Sequence, residues 1–152
     1  MTGTPYIAVV GPGSASEREL ALAEEIGARL GDAGAVVVTG GLGGVMEAAC
    51  RGARSRRAVT VGILPGDART DANGWVEIAV ATGLGELRNA LVVRASDAVI
   101  AVGGGLGTLS EIALALKLGR SVIGVGTFAV HDVEQVSTPE EAVSLALRAS
   151  AR

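Results

Sequence analysis

Apolar residues in this chain fall in short unbroken runs, and longer stretches with a helical period separate them. Runs at 6–10, 35–38, 59–64, 77–81, 98–102 and 121–125 are rich in Val, Ile and Ala and show little polar alternation. Such runs fit strands covered on both faces, as in a parallel sheet. Between them, Leu20, Ala23, Ile26 and Leu30 make one apolar helical stripe, and Leu109, Ile112, Ala113 and Leu116 make another. Further helices are predicted over 45–54, 86–95 and 139–149. Ser14 or Ser16 is placed to cap the first helix, Gly31 and Gly34 to end it, and Thr138 to cap the last. Residues 67–74 are polar and turn-rich and read as a loop; their Asp71-x-Asn73-Gly74 lacks the partner positions of a calcium site. The alternation predicts an α/β fold: one doubly wound, Rossmann-like, mostly parallel sheet with helices on both faces, spanning 1–152 as one domain.

Three strands end in glycine-rich turns, at 11–13, 40–44 and 103–107. Strand ends of a doubly wound sheet share one edge, where ligands bind, so the three turns are expected to converge on one crevice. Glycine lets a ligand approach the backbone, and a helix start beyond it offers unpaired N–H groups and a positive dipole end. Gly11, Gly13, Ser14, Gly40, Gly41, Gly43, Gly44, Gly103, Gly104, Gly105, Gly107 and Thr108 are therefore candidate phosphate-binding positions. Arg88 joins them if its helix starts at the same edge. A competing structural reading applies to Thr108-x-x-Glu111, which has the spacing of a capping box at a helix start near Gly107.

Charge and composition remove several functions. The net charge is −3, the only basic cluster is Arg51, Arg54, Arg56 and Arg57, and the aromatic residues are Tyr6, Trp75 and Phe128. No nucleic-acid partner is expected from that pattern. No apolar run reaches the roughly 18 residues of a membrane span, and no basic stretch opens the chain as in a signal peptide, so a cytoplasmic protein is expected. Cys50, the single cysteine, reads as a small buried hydrophobe, and His131 has no companions with metal-ligand spacing. The second strand ends in Thr39-Gly40 without the acidic residue that holds a ribose, so NAD is not expected. Pyridoxal phosphate needs a lysine, and the only one, Lys117, falls near the far end of its helix. Lysine decarboxylation is excluded on that ground. Hydrophobic residues reach 49% and charged ones 19%, which favours a homo-oligomer, a dimer or higher, packed through the helices around 87–93 and 112–118.

With these residues in place, the chain resembles the LOG-like family of Rossmann-type proteins, within the SLOG superfamily, long labelled lysine decarboxylases. The family signature Pro-Gly-Gly-x-Gly-Thr-x-x-Glu reads here Gly103-Gly104-Gly105-Leu106-Gly107-Thr108-Leu109-Ser110-Glu111. The family's Gly-x-Met segment matches Gly44-Val45-Met46, and its catalytic arginine matches Arg88. Two departures, Gly103 for the proline and Asn89 for a lysine, are similar to a short branch that includes the molybdenum-cofactor carrier proteins. The resemblance implies Arg88 and Glu111 as catalytic residues, with Met46 and Asn89 joining the ligand site. It also implies a phosphorylated small-molecule ligand. The leading expectation is nucleotide binding with hydrolysis of the N-glycosidic bond of a nucleoside monophosphate. Glu111 would then stabilise the ribose cation or position water, and Arg88 would pair with phosphate or hold Glu111 ionised. The alternative is a carrier or sensor of a phosphorylated pterin that performs no reaction.

Overall fold

A computed structural model describes residues 3–152. Seven strands form one sheet: β1 (Tyr6–Val10), β2 (Val36–Thr39), β3 (Thr60–Leu64), β4 (Ile78–Ala81), β5 (Ala98–Val102), β6 (Ser121–Val125) and β7 (Val133–Val136). Their order is β4-β3-β2-β1-β5-β6-β7, and every neighbouring pair is parallel. The chain winds outward from β1 to one edge, returns to β5 beside it, and winds outward to the other edge. Connections leaving β1 and β5 therefore part to opposite sides, which opens a crevice at the C-terminal ends of these two strands.

Helices α1 (Glu17–Asp32), α2 (Val45–Ser55) and α5 (Pro139–Ser150) cover one face, and α3 (Arg88–Arg94) and α4 (Leu106–Lys117) cover the other. Period-two alternation sorts each strand between them. Ile7, Val9, Val37, Ile100 and Val102 join the first core, while Ala8, Val10, Val38, Val99 and Ala101 join the second. Both faces of the central strands are thus dry, which is why their sequences carry no polar alternation.

The fold agrees with the doubly wound α/β expectation, with three local corrections. The sixth predicted strand is followed by a seventh, β7, whose Val-Glu-Gln-Val sequence is half polar because it forms a sheet edge. The first helix is capped by Ser16, not Ser14: the Ser16 hydroxyl accepts from the Glu19 N–H, and Glu19 answers to the Ser16 N–H. The predicted 86–95 helix is a 3-10 turn over Gly85–Leu87 that runs into α3.

Helices α1 and α2 cross at unusually short range, and two glycines make this necessary. A Cβ on Gly27 would fall 2.0 Å from the Ala49 carbonyl oxygen, and one on Gly52 would fall 1.9 Å from that of Glu24. Because backbone cannot retreat as a side-chain tip can, Gly27→Ala is expected to cost about 3 kcal/mol in urea denaturation. An unchanged midpoint would show that the helices can separate freely.

Candidate functional site

The three glycine turns meet at the C-terminal edge of the sheet. Val45 at the start of α2 donates its N–H to the Pro12 carbonyl, and a Cβ on Gly44 would fall 2.3 Å from that same oxygen. A Cβ on Gly11 would strike the Val102 carbonyl at 2.5 Å, and one on Gly105 would lie 3.9 Å from the Pro12 ring. The first turn therefore touches both others. Met46 lies between the first two: a Cβ on Gly40 would come 2.8 Å from its sulfur, and one on Gly13 would lie 3.9 Å from its Cε.

The turns differ in what they offer a ligand. At the start of α1 the Ser16–Glu19 capping box takes the Ser16 and Glu19 N–H groups. Ser14 and Gly13 are exposed beside it. No side chain caps α2 or α4; the Val45 N–H of α2 is taken by the Pro12 carbonyl, which leaves the first turn of α4 as the freer set of amides at this edge. In the third turn, a Cβ on Gly103 would meet the Glu19 carboxylate and one on Gly104 would meet the Phe128 ring. Nothing lies within 4 Å of a Cβ placed on Gly107, which is exposed. Packing does not require glycine there. Glycine costs up to about 1 kcal/mol against alanine in a helix, so its presence calls for another reason, and close approach of a ligand supplies one.

The capping-box reading of Thr108 and Glu111 is not what forms. Gly105 is the N-cap of α4, and Leu109 N–H bonds its carbonyl at 2.9 Å. The helix begins before Thr108, which puts Glu111 beyond the first turn. There the Glu111 side chain is only 7% exposed. Burial pushes its carboxyl up to about 7, and the positive charge of Arg88 offsets only part of the rise. Arg88 therefore does not hold Glu111 fully ionised at neutral pH.

Arg88 is itself buried, at 9% exposure, and its guanidinium is spent largely on protein groups. Nε donates to the Ile63 carbonyl at 2.9 Å, one terminal nitrogen donates to the Gly40 carbonyl at 3.4 Å, and the other donates to Asn89 Oδ1. Asn89 Nδ2 in turn donates to Ser110 Oγ at 3.1 Å, and Ser110 donates to the Gly107 carbonyl at 2.8 Å. A continuous hydrogen-bonded relay thus runs from the second glycine turn to the third. Asn73, in the connection after β3, adds a second tie. Its backbone N–H donates to the Gly41 carbonyl at 2.9 Å, and its carboxamide donates to the Leu42 carbonyl at the same distance. Sequence reasoning gave no role to Asn73, Ser110, Glu19 or Phe128. The Asn73-Gly74 pair signals only a turn, and nothing local in the sequence shows which strand end it reaches.

Gly103, where the family signature has proline, has a backbone that proline cannot adopt. Its φ is +65°, whereas a proline ring fixes φ near −65°. A chain with the Pro-Gly-Gly signature cannot trace this turn as it stands. The SLOG cluster4 family model matches residues 4–151. The chain belongs to the SLOG cluster4 family. It is 42% identical over 147 residues to an uncharacterized protein of Archaeoglobus fulgidus, covering 96% of this chain and 97% of that one. Among solved structures it is similar to the molybdenum cofactor binding protein of Rippkaea orientalis, at 39% identity and a TM-score of 0.90 over 95% of this chain and 96% of that one. The molybdenum cofactor carrier protein of Chlamydomonas reinhardtii matches at 31% identity and a TM-score of 0.88, covering 99% of this chain and all of the other (100%). Among the described residues, no group of three or more His, Cys, Asp or Glu is placed to hold a metal ion, and no helix is long and apolar enough to cross a membrane. Cys50 is buried, and burial raises its thiol pKa.

The displaced Glu111 titration gives a test with a defined sign. A carboxyl whose pKa rises from 4.5 unfolded to about 7 folded favours the folded state while protonated. The contribution of Glu111 to stability should be greatest below pH 4.5 and fall as pH rises to about 7, by on the order of 3 kcal/mol. In chemical denaturation across this range, Glu111→Gln should flatten that part of the slope. An unaltered slope in the variant would mean that Glu111 ionises normally in the folded protein.

Proposed function

We propose that this protein binds a phosphate-bearing pterin of the molybdenum-cofactor type at residues 104–108 and carries it without breaking a covalent bond. The observation that carries the proposal is the third glycine turn: a positive-φ Gly103, an uncapped helix start, and a Gly107 that packing leaves open. The carboxylate of Glu19 behind Gly103 disfavours an anion at that residue and moves the phosphate seat along to the α4 amides. The two carrier and binding proteins of similar fold support the pterin as cargo. With no metal-ligand cluster among the described residues, the grip falls to the phosphate and the ring. Arg88 and Asn89 serve as positioning residues that hold the second and third turns at a fixed separation. The hydrolase alternative retains one favourable feature, the buried Glu111 within the field of Arg88.

Gly107→Ala separates folding from binding. It should leave stability equal or higher by about 0.5 kcal/mol, because alanine suits a helix better. It should also weaken calorimetric binding of neopterin phosphate tenfold or more. Incubation with a panel of nucleoside monophosphates should release no free base. Base release that disappears in Glu111→Gln would replace the carrier with the hydrolase.

The same proposal places the protein in the cytoplasm as an assembly of identical chains joined through the α3–α4 face. Leu87 is 74% exposed there, Leu84 and Leu91 are also open, and Ile78 and Val80 of the edge strand point to the same face uncovered. Register decides that orientation, since Val80 pairs with Ile63 of the α3–α4 core. Light scattering at micromolar concentration should give at least twice the chain mass, and Leu87→Glu should reduce it. A monomeric wild type would remove this part of the proposal.

A further inference from the structure

The connection between β6 and β7, residues 126–132, folds back over the binding edge and brings one aromatic side chain with it. Gly124 permits the return, since a Cβ there would fall 2.5 Å from Thr127 Cγ2. Gly126 turns the chain at a φ of +64°. Two donors then pin the Phe128 carbonyl: Gln135 Nε2 at 2.8 Å and the Val130 N–H at 2.9 Å. The backbone beneath the ring is therefore fixed on both sides.

The ring lies against Gly104. A Cβ on that glycine would fall 2.8 Å from Phe128 Cε2 and 3.1 Å from Cζ. Phe128 belongs to neither apolar core and stays 37% exposed. Leu106, on the same turn, is 85% exposed. A site for phosphate alone gains from amides and charge and nothing from apolar walls. Amides at one end and a partly exposed aromatic ring at the other fit a ligand with a phosphate and a flat heterocycle.

We infer that Phe128 is the surface on which the heterocycle of the bound ligand stacks, and that it selects ring-bearing phosphates over acyclic ones. The inference rests on the proposed phosphate seat at 104–108. A ring offered to an aromatic face gains dispersion and offset stacking without needing a matched set of hydrogen bonds. Phe128 therefore acts on discrimination between ligands, while the turn acts on all of them.

Neopterin phosphate and glycerol phosphate make the test, since they share a phosphorylated polyol and differ by the pterin. Calorimetric titration of wild type, Phe128→Leu and Phe128→Trp compares them. Leucine retains bulk against Gly104 but has no ring, so it should weaken neopterin phosphate about tenfold and leave glycerol phosphate unchanged. Tryptophan should restore the affinity, and its fluorescence should fall as the pterin binds. Equal weakening of both ligands by Phe128→Leu would show that the residue merely shapes the turn. Unchanged or tighter binding of neopterin phosphate would mark the ring as a bystander or an obstruction. A wild type that binds neither compound would overturn the phosphate seat and this inference with it. One that binds both, without sensitivity to Phe128, would overturn the inference alone.

Discussion

The arrangement of the binding edge depends on one buried cation. Removing a guanidinium from water is costly unless its N–H groups find acceptors, and here those acceptors come from distant parts of the chain. Arg88 takes a carbonyl from the end of β3 and another from the glycine turn after β2, and its neighbour Asn89 extends the relay to α4. Of the acceptors around Arg88, only Asn89 is its neighbour in sequence. The sheet must first bring β2 and β3 side by side before the cation can be buried. Once buried, it holds their ends in place, so the geometry of the turns and the satisfaction of the charge are one constraint.

Glycine serves two purposes along this edge, and the surroundings of each residue separate them. At Gly11, Gly44 and Gly103 another group already occupies the space a side chain would need, so these positions build the crevice. At Gly107 the space is open, and what the missing side chain leaves accessible is backbone amide. A sequence motif records both kinds with the same letter. The distinction matters because substitutions at the first kind should damage folding and those at the second should damage binding only.

Much of the fold was legible because the central strands are covered on both faces, and unbroken apolar runs such as Ala98–Val102 admit few other readings. What escaped was governed by context. The four-residue β7 pairs along a sheet edge and lacks an apolar run, so only its ladder to β6 reveals it. The Thr108–Glu111 spacing met the rule for a capping box, yet Gly105 starts the helix earlier and the two side chains turn inward instead. Candidate positions on the three turns were visible from their glycines. The braces that set the turns apart were not, since Asn73, Ser110 and Phe128 act through contacts with residues far away in sequence.

Burial of Glu111 bears on what such a site can do. A glutamate that stabilises a developing ribose cation must carry its charge, and desolvation here works against that charge despite Arg88. A phosphate bound on the neighbouring amides would add negative charge and push the carboxyl further toward its neutral form. A neutral carboxyl beside an anionic ligand removes a repulsion and can donate a hydrogen bond. The same environment that weakens Glu111 as an electrostatic catalyst thus makes it compatible with holding a phosphorylated molecule intact. The burial of Glu111 therefore supports the proposed retention of the ligand over its cleavage.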